Sequence, residues 1–320
     1  MHPHPRAILI AGPTASGKSR LALRLAQTLG GAIINADALQ VYRELKILTA
    51  RPDDGQCALA PHELFGHVSA QEIYSVARWL EAVRGAVARA RADGRVPILV
   101  GGTGLYFRAA LNGLAVLPEI PASSREQANA LFDREGAEEF RAILARLDPE
   151  SALRLPLGDR YRAVRAYEVV MATGRALSDW QKEAHRPLFA LHEVFPLALM
   201  PQRAALNSAI EKRFGEMMAL GAVEEARDLL ALELPRINPA MKALGIAERG
   251  QYLAGEITLD GAAEAAVQRT RRYAKRQMTW IRGQMKDWRW IDGELLIRAL
   301  SAPADEFLQL LVTAQQPANS

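Results

Sequence analysis

An α/β fold built on a parallel sheet is what this 320-residue chain predicts. Three observations carry the prediction. Short apolar segments alternate with amphipathic helical ones. A Gly-rich turn directly follows the first apolar segment. Loops rich in Gly, Thr or Asp follow the others, at the strand ends where such sheets gather their ligands.

The first apolar run, Ala7-Ile8-Leu9-Ile10-Ala11, reads as a buried strand. Residues 12–19 then read Gly-Pro-Thr-Ala-Ser-Gly-Lys-Ser, which is G-x-x-x-x-G-K-[ST] placed between a strand and a helix. That is a phosphate-binding P-loop. Its backbone N–H groups converge on a phosphate, and the following helix adds partial positive charge. The candidate phosphate-binding set is Gly12, Pro13, Thr14, Ala15, Ser16, Gly17, Lys18 and Ser19. Lys18 is expected to reach the outer phosphate, and Ser19 to hold a Mg²⁺ that bridges phosphate oxygens. Leu21, Leu25 and Leu29 share one face of the helix that begins at about Ser19.

A second strand is predicted over Ala32–Asn35 and is followed by Asp37. A carboxylate there faces the P-loop ligand and could take a proton from a nucleophile attacking near the phosphates. The alternative is a helix N-cap, and the residues leave both open. Val76, Leu80, Val83 and Val87 then mark a helix ended by Asp93-Gly94. A third strand, Pro97–Val100, leads into Gly101-Gly102-Thr103-Gly104. Two glycines allow close approach of backbone and ligand, and Thr103 offers a hydroxyl. A simple strand-to-helix turn is the competing reading.

From Ser123 to about Glu183 the pattern is helical and charged, without strands; after Pro187, Val194–Leu199 resembles a returning strand. The expected organisation is a P-loop core over 1–118, a helical insertion over 119–190, the rest of the core with basic C-terminal helices over 191–302, and a tail over 303–320. Residues 203–233 and 262–290 read as long helices, and Ala314–Ser320 is polar and expected to fray.

Composition narrows the function classes. Hydrophobic residues at 49% support a proper core, and a net charge of +4 with pI about 9.3 is only mildly basic. Cys57 is the single cysteine, so no intramolecular disulfide forms and a bystander role is expected for it. The segment Met1–Arg6 before the first strand is too short for a signal peptide, and no apolar stretch reaches the roughly 20 residues a membrane helix needs. A cytoplasmic protein with no membrane partner is expected. The histidines, His2, His4, His62, His67, His185 and His192, form no group of three with metal-ligand spacing, so no transition-metal site is expected.

Charge is concentrated near the end. Residues 268–290 hold Arg269, Arg271, Arg272, Lys275, Arg276, Arg282, Lys286 and Arg289 against the single acid Asp287. Ala274, Met278, Ile281, Met285 and Trp288 form an apolar helical stripe beneath them, and Trp280 and Trp290 are interleaved. This composition suits phosphate-backbone binding. Arg160, Arg162 and Arg165 form a smaller basic group.

Taken in order, the P-loop, Asn35-Ala36-Asp37-Ala38-Leu39-Gln40-Val41-Tyr42, Thr49-Ala50-Arg51-Pro52, Gly101-Gly102-Thr103-Gly104-Leu105-Tyr106 and Lys275-Arg276-Gln277-Met278-Thr279-Trp280-Ile281-Arg282 resemble the tRNA dimethylallyltransferases (tRNA isopentenyltransferases) from residue 7 to about 293. The P-loop is shared by many NTPases, and the later blocks make the resemblance specific. It implies a P-loop NTPase-like sheet with a helical insertion that grips the tRNA anticodon stem-loop. It implies transfer of a five-carbon group from dimethylallyl diphosphate to the exocyclic amine of the adenine 3′ of the anticodon, with Mg²⁺ as cofactor and the adenine flipped from its stack. The P-loop would then hold a diphosphate that leaves.

By the same resemblance Asp37, Lys18, Thr103 and Arg213 are the catalytic set. Arg213 reaches the reaction channel and pairs with diphosphate. Thr103 and Arg125 sit near the flipped base. Asp37, Ala38, Leu39 and Gln40 touch the tRNA, as do Tyr161, Arg162 and Arg165 in the insertion, Lys242 beyond it, and Lys275, Arg276, Gln277, Thr279, Trp280 and Arg282 near the end. A monomer is expected. The chain departs from the pattern at Ala38, where Ser is usual, at Lys46-Ile47-Leu48, at Ala209 and at Ile246-Ala247. Three other readings compete: a P-loop small-molecule kinase, for which the basic helix is unnecessary; an RNA-binding module that uses nucleotide as a switch, which leaves Asp37 without a task; and an adenylate prenyltransferase, for which the insertion is unnecessary.

Overall fold

Five apolar residues, Ala7–Ala11, form strand β1, and every one is buried. The computed structural model describes residues 5–183, 186–235 and 238–314, so His2, His4, His185 and the end 315–320 lie outside the described residues. The further strands are β2 (Gly31–Asn35), β3 (His62–Glu63), β4 (Val96–Gly101), β5 (Val194–Leu199) and β6 (Arg289–Ile291), all parallel in the order β3-β2-β4-β1-β5-β6. Ala11 pairs with Gly101, and Asn35 with Val100. That register brings the carboxyl ends of β1, β2 and β4 level, so the loops that leave them start side by side.

The four strands expected from the sequence are present within a residue at each end. β3 and β6 were not expected: each has only two or three residues, sits at a sheet edge and carries polar side chains.

Helices α1 (Lys18–Leu29), α2 (Asp54–Leu59), α3 (Val76–Ala92) and α4 (Gly104–Asn112) connect the first strands. Leu21 and Leu25 of α1 pack on Ile8, Ile33, Ile98 and Leu197, as their spacing requires. Trp79 of α3 stacks on Tyr106 of α4 at 4.3 Å and donates its indole N–H to Asn35 O at 2.8 Å.

The chain divides into two compact units, residues 1–111 with 188–320, and residues 112–187. The second is wholly helical, with α5 (Ala122–Leu147), α6 (Pro149–Arg154), α7 (Arg160–Thr173) and α8 (Leu177–Lys182). Phe140 of α5 is fully buried, 5.0 Å from Phe132 and 5.3 Å from Tyr167. Buried Asp148 ties the unit together by accepting from Ser151 N at 3.0 Å and Ser178 N at 3.1 Å.

The first unit continues with α9 (Arg203–Ala219), α10 (Ala222–Leu230), α11 (Ile246–Leu253), α12 (Leu259–Gln284), α13 (Gly293–Ser301) and α14 (Ala304–Thr313). Three expectations are corrected here. The long helix over 203–233 breaks at Gly221, whose φ of 96° is left-handed. The helix over 262–290 ends at Gln284, and Arg289–Ile291 becomes β6. Residues 303–320 are not simply a tail, because α14 buries Phe307, Leu310 and Leu311 in the core beside α1. Those three sit at i, i+3 and i+4, which is a helix-face signal.

Candidate functional site

The turn Gly12–Gly17 leaves β1 and enters α1 through Gly17, at φ 87°, with no side-chain cap on the first helical amides. No acid lies in the first turn, so the positive end of the helix is uncompensated. Ala15 holds a φ of 61°, a left-handed conformation that costs an L residue about 1–2 kcal/mol. Ser16 Oγ is buried with no hydrogen-bond partner among the described residues. Strain and an orphaned hydroxyl together mark a loop built for an anion that supplies the missing acceptor.

Lys18 folds back over this loop and donates to Pro13 O at 3.2 Å. Burial of its ammonium lowers its pKa from 10.5 to about 8; the Asp37 carboxylate opposes the shift and the Arg213 guanidinium adds to it. Arg213, from α9, donates to Thr14 Oγ1 at 3.3 Å and to Thr49 O at 3.0 Å, while its buried Nε has no partner among the described residues. Burial lowers its pKa too, against the pull of Asp37 and then Glu216. Two partly desolvated cations and one carboxylate therefore share this end of the sheet.

Asp37 is fixed by Asn35, which ends β2 and is fully buried. The Asn35 side chain accepts Asp37 N–H at 2.8 Å and donates to Asp37 O at 3.0 Å and Leu64 O at 3.1 Å. Asp37 Oδ1 accepts from Leu39 N at 3.0 Å, an Asx-type turn. No helix starts here, so the N-cap alternative is not realised. The other oxygen faces the glycine loop after β4: a methyl placed on Gly102 would lie 3.4 Å from Asp37 Oδ2, 3.3 Å from Gly12 O and 2.2 Å from Gln277 Nε2. Thr103 Oγ1 accepts from Ala38 N at 2.9 Å, which leaves its own O–H to donate elsewhere.

Gln277 has a task inside the fold. It is buried in α12, where its side-chain oxygen accepts from Thr14 N at 2.9 Å and its amide donates to Gly102 O at 2.8 Å. It braces the P-loop against the glycine loop, and one N–H of its amide is taken up in that brace. Gln40 is likewise held inward, donating to Thr49 O at 2.9 Å and Ala50 O at 3.0 Å. That loop is anchored by Glu225, whose carboxylate accepts from the amides of Lys46, Ile47 and Leu48, each at 2.7 Å. Asn35 entered the sequence reading only as the first residue of a longer block, with no role of its own, and Glu225 not at all; an Asn closing an apolar strand is the one usable signal.

A cavity of about 250 Å³ opens beside these loops, lined by Gly12, Thr103, Gly104, Tyr273, Arg276 and Trp280 among others. The Trp280 ring lies against Gly104, where a methyl would come within 2.3 Å of it. The outer face of α12 carries exposed Arg272, Lys275, Arg276, Thr279 and Arg282, and its inner stripe, Ala274, Met278 and Ile281, is buried.

The basic cluster over 268–290 is thus smaller than its composition suggested. Arg269 pairs with Glu248 at 3.2 Å, and Arg271 pairs with Glu211. Arg289 stacks on Phe195 at 4.7 Å from β6.

In the helical unit, buried Glu168 receives Arg125 at 3.1 Å and also Arg165. Arg162 pairs with Asp159 at 3.3 Å, Arg160 pairs with Asp133, and Tyr161 is 71% exposed. Lys242 is exposed at the end of the 3-10 turn Pro239–Lys242.

Among the departures, Leu48 and Ile246 are buried core residues. Cys57 is exposed, and its pKa is raised by burial and by Asp54 and Asp53, which keeps it a thiol.

Among the described residues no group of three His, Cys, Asp or Glu could hold a metal. Ser19, exposed on the first turn of α1, offers one hydroxyl. That donor set fits Mg²⁺, which keeps its waters and takes most of its ligands from phosphate oxygens.

Similarity to known proteins follows the same geography. A family model described as IPP transferase matches residues 40–284, and one described as isopentenyl transferase matches residues 5–59. A tRNA dimethylallyltransferase of Rhodopseudomonas palustris is 47% identical over 308 residues, covering 96% of this chain and 94% of that protein. Among solved structures, the tRNA isopentenylpyrophosphate transferase of Bacillus halodurans superposes with a TM-score of 0.66 at 28% identity, covering 96% of both chains. A eukaryotic dimethylallyltransferase, solved acting on tRNA, superposes with a TM-score of 0.77 at 25% identity, covering 95% of this chain and 79% of that one. A P-loop with two desolvated cations, an acid across the strand ends and a match that runs nearly end to end lead to one conclusion: the chain belongs to the tRNA dimethylallyltransferase family.

Proposed function

We propose that this protein transfers the dimethylallyl group from dimethylallyl diphosphate to the exocyclic amine of the adenine just 3′ of the anticodon in tRNA, releasing diphosphate. The observation that carries this is the convergence of Lys18, Arg213 and Asp37 at one set of strand ends, with the Asp37 charge felt by both cations.

The P-loop amides, Lys18 and Arg213 hold the diphosphate. As the carbon–oxygen bond breaks, its electron pair leaves with the diphosphate, and these groups stabilise the charge that develops. Ser19 would help hold a Mg²⁺, which would further neutralise phosphate charge. The adenine amine forms the new nitrogen–carbon bond, and Asp37 takes the proton the amine loses. Thr103 and the cavity beside Trp280 receive the extruded base, which must leave its stack to reach the diphosphate. Because the amine is a weak nucleophile, positioning supplies much of the rate.

RNA contacts come from the exposed face of α12 (Arg272, Lys275, Arg276, Thr279 and Arg282), from Ala38 and Leu39, from Lys242, and from Arg125, Tyr161, Arg162 and Arg165 of the helical unit, which meets the anticodon stem-loop. The protein works as a cytoplasmic monomer; no helix among the described residues is long and apolar enough to cross a membrane.

The test is multiple-turnover reaction of the purified protein with dimethylallyl diphosphate and an anticodon stem-loop RNA. Mass spectrometry should find one prenyl group on the adenosine 3′ of the anticodon, with AMP a poor acceptor. Prenylation of AMP in preference to the stem-loop, or ATP-dependent phosphorylation with no prenyl transfer, would overturn the reading.

A further inference from the structure

Tyr273 lies one turn before Gln277 on α12 and lines the same cavity as Thr103, Gly104 and Trp280. Its neighbours on that face are already engaged. Gln277 is bonded to Thr14 and Gly102, the Trp280 ring is pressed on Gly104, and Arg276 stacks 5.6 Å over the Tyr273 ring. The Tyr273 hydroxyl differs: among the described residues nothing hydrogen-bonds to it, while the Asp37 and Arg276 charges both reach it. Tyr273 is half-buried and lines the cavity, so a ligand there can supply the partner that its O–H lacks. Burial and the Asp37 charge both raise its pKa, so the phenol stays protonated and able to donate at any ordinary pH.

We infer that Tyr273 donates a hydrogen bond to a ring nitrogen of the extruded adenine. The inference rests on the proposed reading of the site. If the amine of the adenine faces Asp37, the acceptors on either side of it are N1, bonded to the carbon that bears the amine, and N7, one carbon further along the same edge. A donor close enough to feel the Asp37 charge, and opening on the same cavity, faces that edge of the base. The phenol thus recognises the purine while Asp37 takes the proton, and it holds the amine in line with the prenyl carbon. No sequence motif marked this residue. Its neighbours Lys275 to Arg282 drew attention for their charge, and the residue that reaches the base sits just before them.

The experiment compares wild type and Tyr273→Phe on three stem-loop RNAs, carrying adenosine, 1-deazaadenosine or 7-deazaadenosine at the target position. On adenosine the variant should lose about tenfold in kcat/KM. On the deaza RNA that lacks the true acceptor, the variant and wild type should agree within about twofold, because the partner is already gone. Thermal midpoint and pyrophosphate affinity of Tyr273→Phe should match wild type, which separates recognition from folding. An undiminished tenfold loss on both deaza RNAs, or full activity of Tyr273→Phe on adenosine, would overturn the inference. Wild-type failure to prenylate any stem-loop would sink the prenyl-transfer reading, and this inference with it; wild-type turnover with an unimpaired variant would sink the inference alone.

Discussion

The side-chain oxygen of Gln277 accepts the backbone N–H of Thr14 at 2.9 Å, across 263 residues of sequence. The same amide group donates to Gly102 O, so one side chain on the basic helix braces both the phosphate loop and the glycine loop. Gln277→Leu keeps the volume and removes both bonds. It leaves a part-buried N–H and a part-buried carbonyl without their partner, at about 1 kcal/mol for each. Pyrophosphate titration should show affinity weakened by about tenfold or more, with a lower thermal midpoint. Unchanged affinity would mean that the loop holds its shape without the brace.

Asp37 is held by Asn35, so its carboxylate can be altered without moving the backbone. Asp37→Asn keeps an oxygen for Leu39 N and removes the proton acceptor. Prenyl transfer should fall by about 10²–10⁴-fold in single-turnover kinetics, while stem-loop affinity stays within about twofold. A variant that keeps its rate would remove Asp37 from proton transfer.

Basic residues on α12 divide into paired and unpaired sets, and the two sets should behave differently toward RNA. Arg272→Ala with Lys275→Ala removes two exposed charges, so stem-loop affinity should drop and its log–log salt dependence should flatten by roughly 0.7–0.9 per charge. Arg269 and Arg271 are engaged by Glu248 and Glu211, and the same change there should alter the slope less. Equal slopes for the two double variants would show that the ion pairs open when RNA binds.

What the sequence made legible was whatever is periodic or contiguous. Strands β1, β2, β4 and β5 are apolar runs, the P-loop is eight consecutive residues, and the α12 stripe repeats at helical spacing. What stayed hidden depends on side chains meeting across the fold. Gln277 drew attention as part of a basic block, but its task is set by Thr14 and Gly102, which no local pattern connects to it. Arg271 and Arg289 counted toward a charged face because composition cannot see Glu211 or Phe195. β6 was absorbed into a helix because three residues at a sheet edge carry too little periodicity to compete with the long amphipathic run before them.

The C-terminal helix gives a stability prediction. Phe307 is fully buried, with the Arg24 guanidinium 5.5 Å over its ring and donating to Ala302 O at 2.9 Å. Phe307→Ala should cost about 3–5 kcal/mol in chemical denaturation. A loss under about 1 kcal/mol would show that α14 is not part of the cooperative core.

The last prediction concerns pH. In the ligand-free protein Lys18 has a pKa of about 8, below its ordinary 10.5, chiefly because burial disfavours the charged form. Below about pH 8 the ammonium is present before ligand arrives, and pyrophosphate affinity should be flat with respect to this group. Above that point Lys18 is neutral in the free protein, and the bound anion must recruit a proton to it. Affinity should therefore fall as pH rises above about 8, by at most about tenfold per unit, with proton uptake measurable in buffers of different ionisation enthalpy. Stability has the opposite sign: between those two values the unfolded chain binds the extra proton, so this group favours the folded state more as pH rises. Tyr273 does not interfere, since its pKa is displaced upward. Lys18→Met should bind pyrophosphate more weakly and lose the decline above pH 8. A wild-type affinity that stays level through that range would mean the lysine is already charged in its free loop.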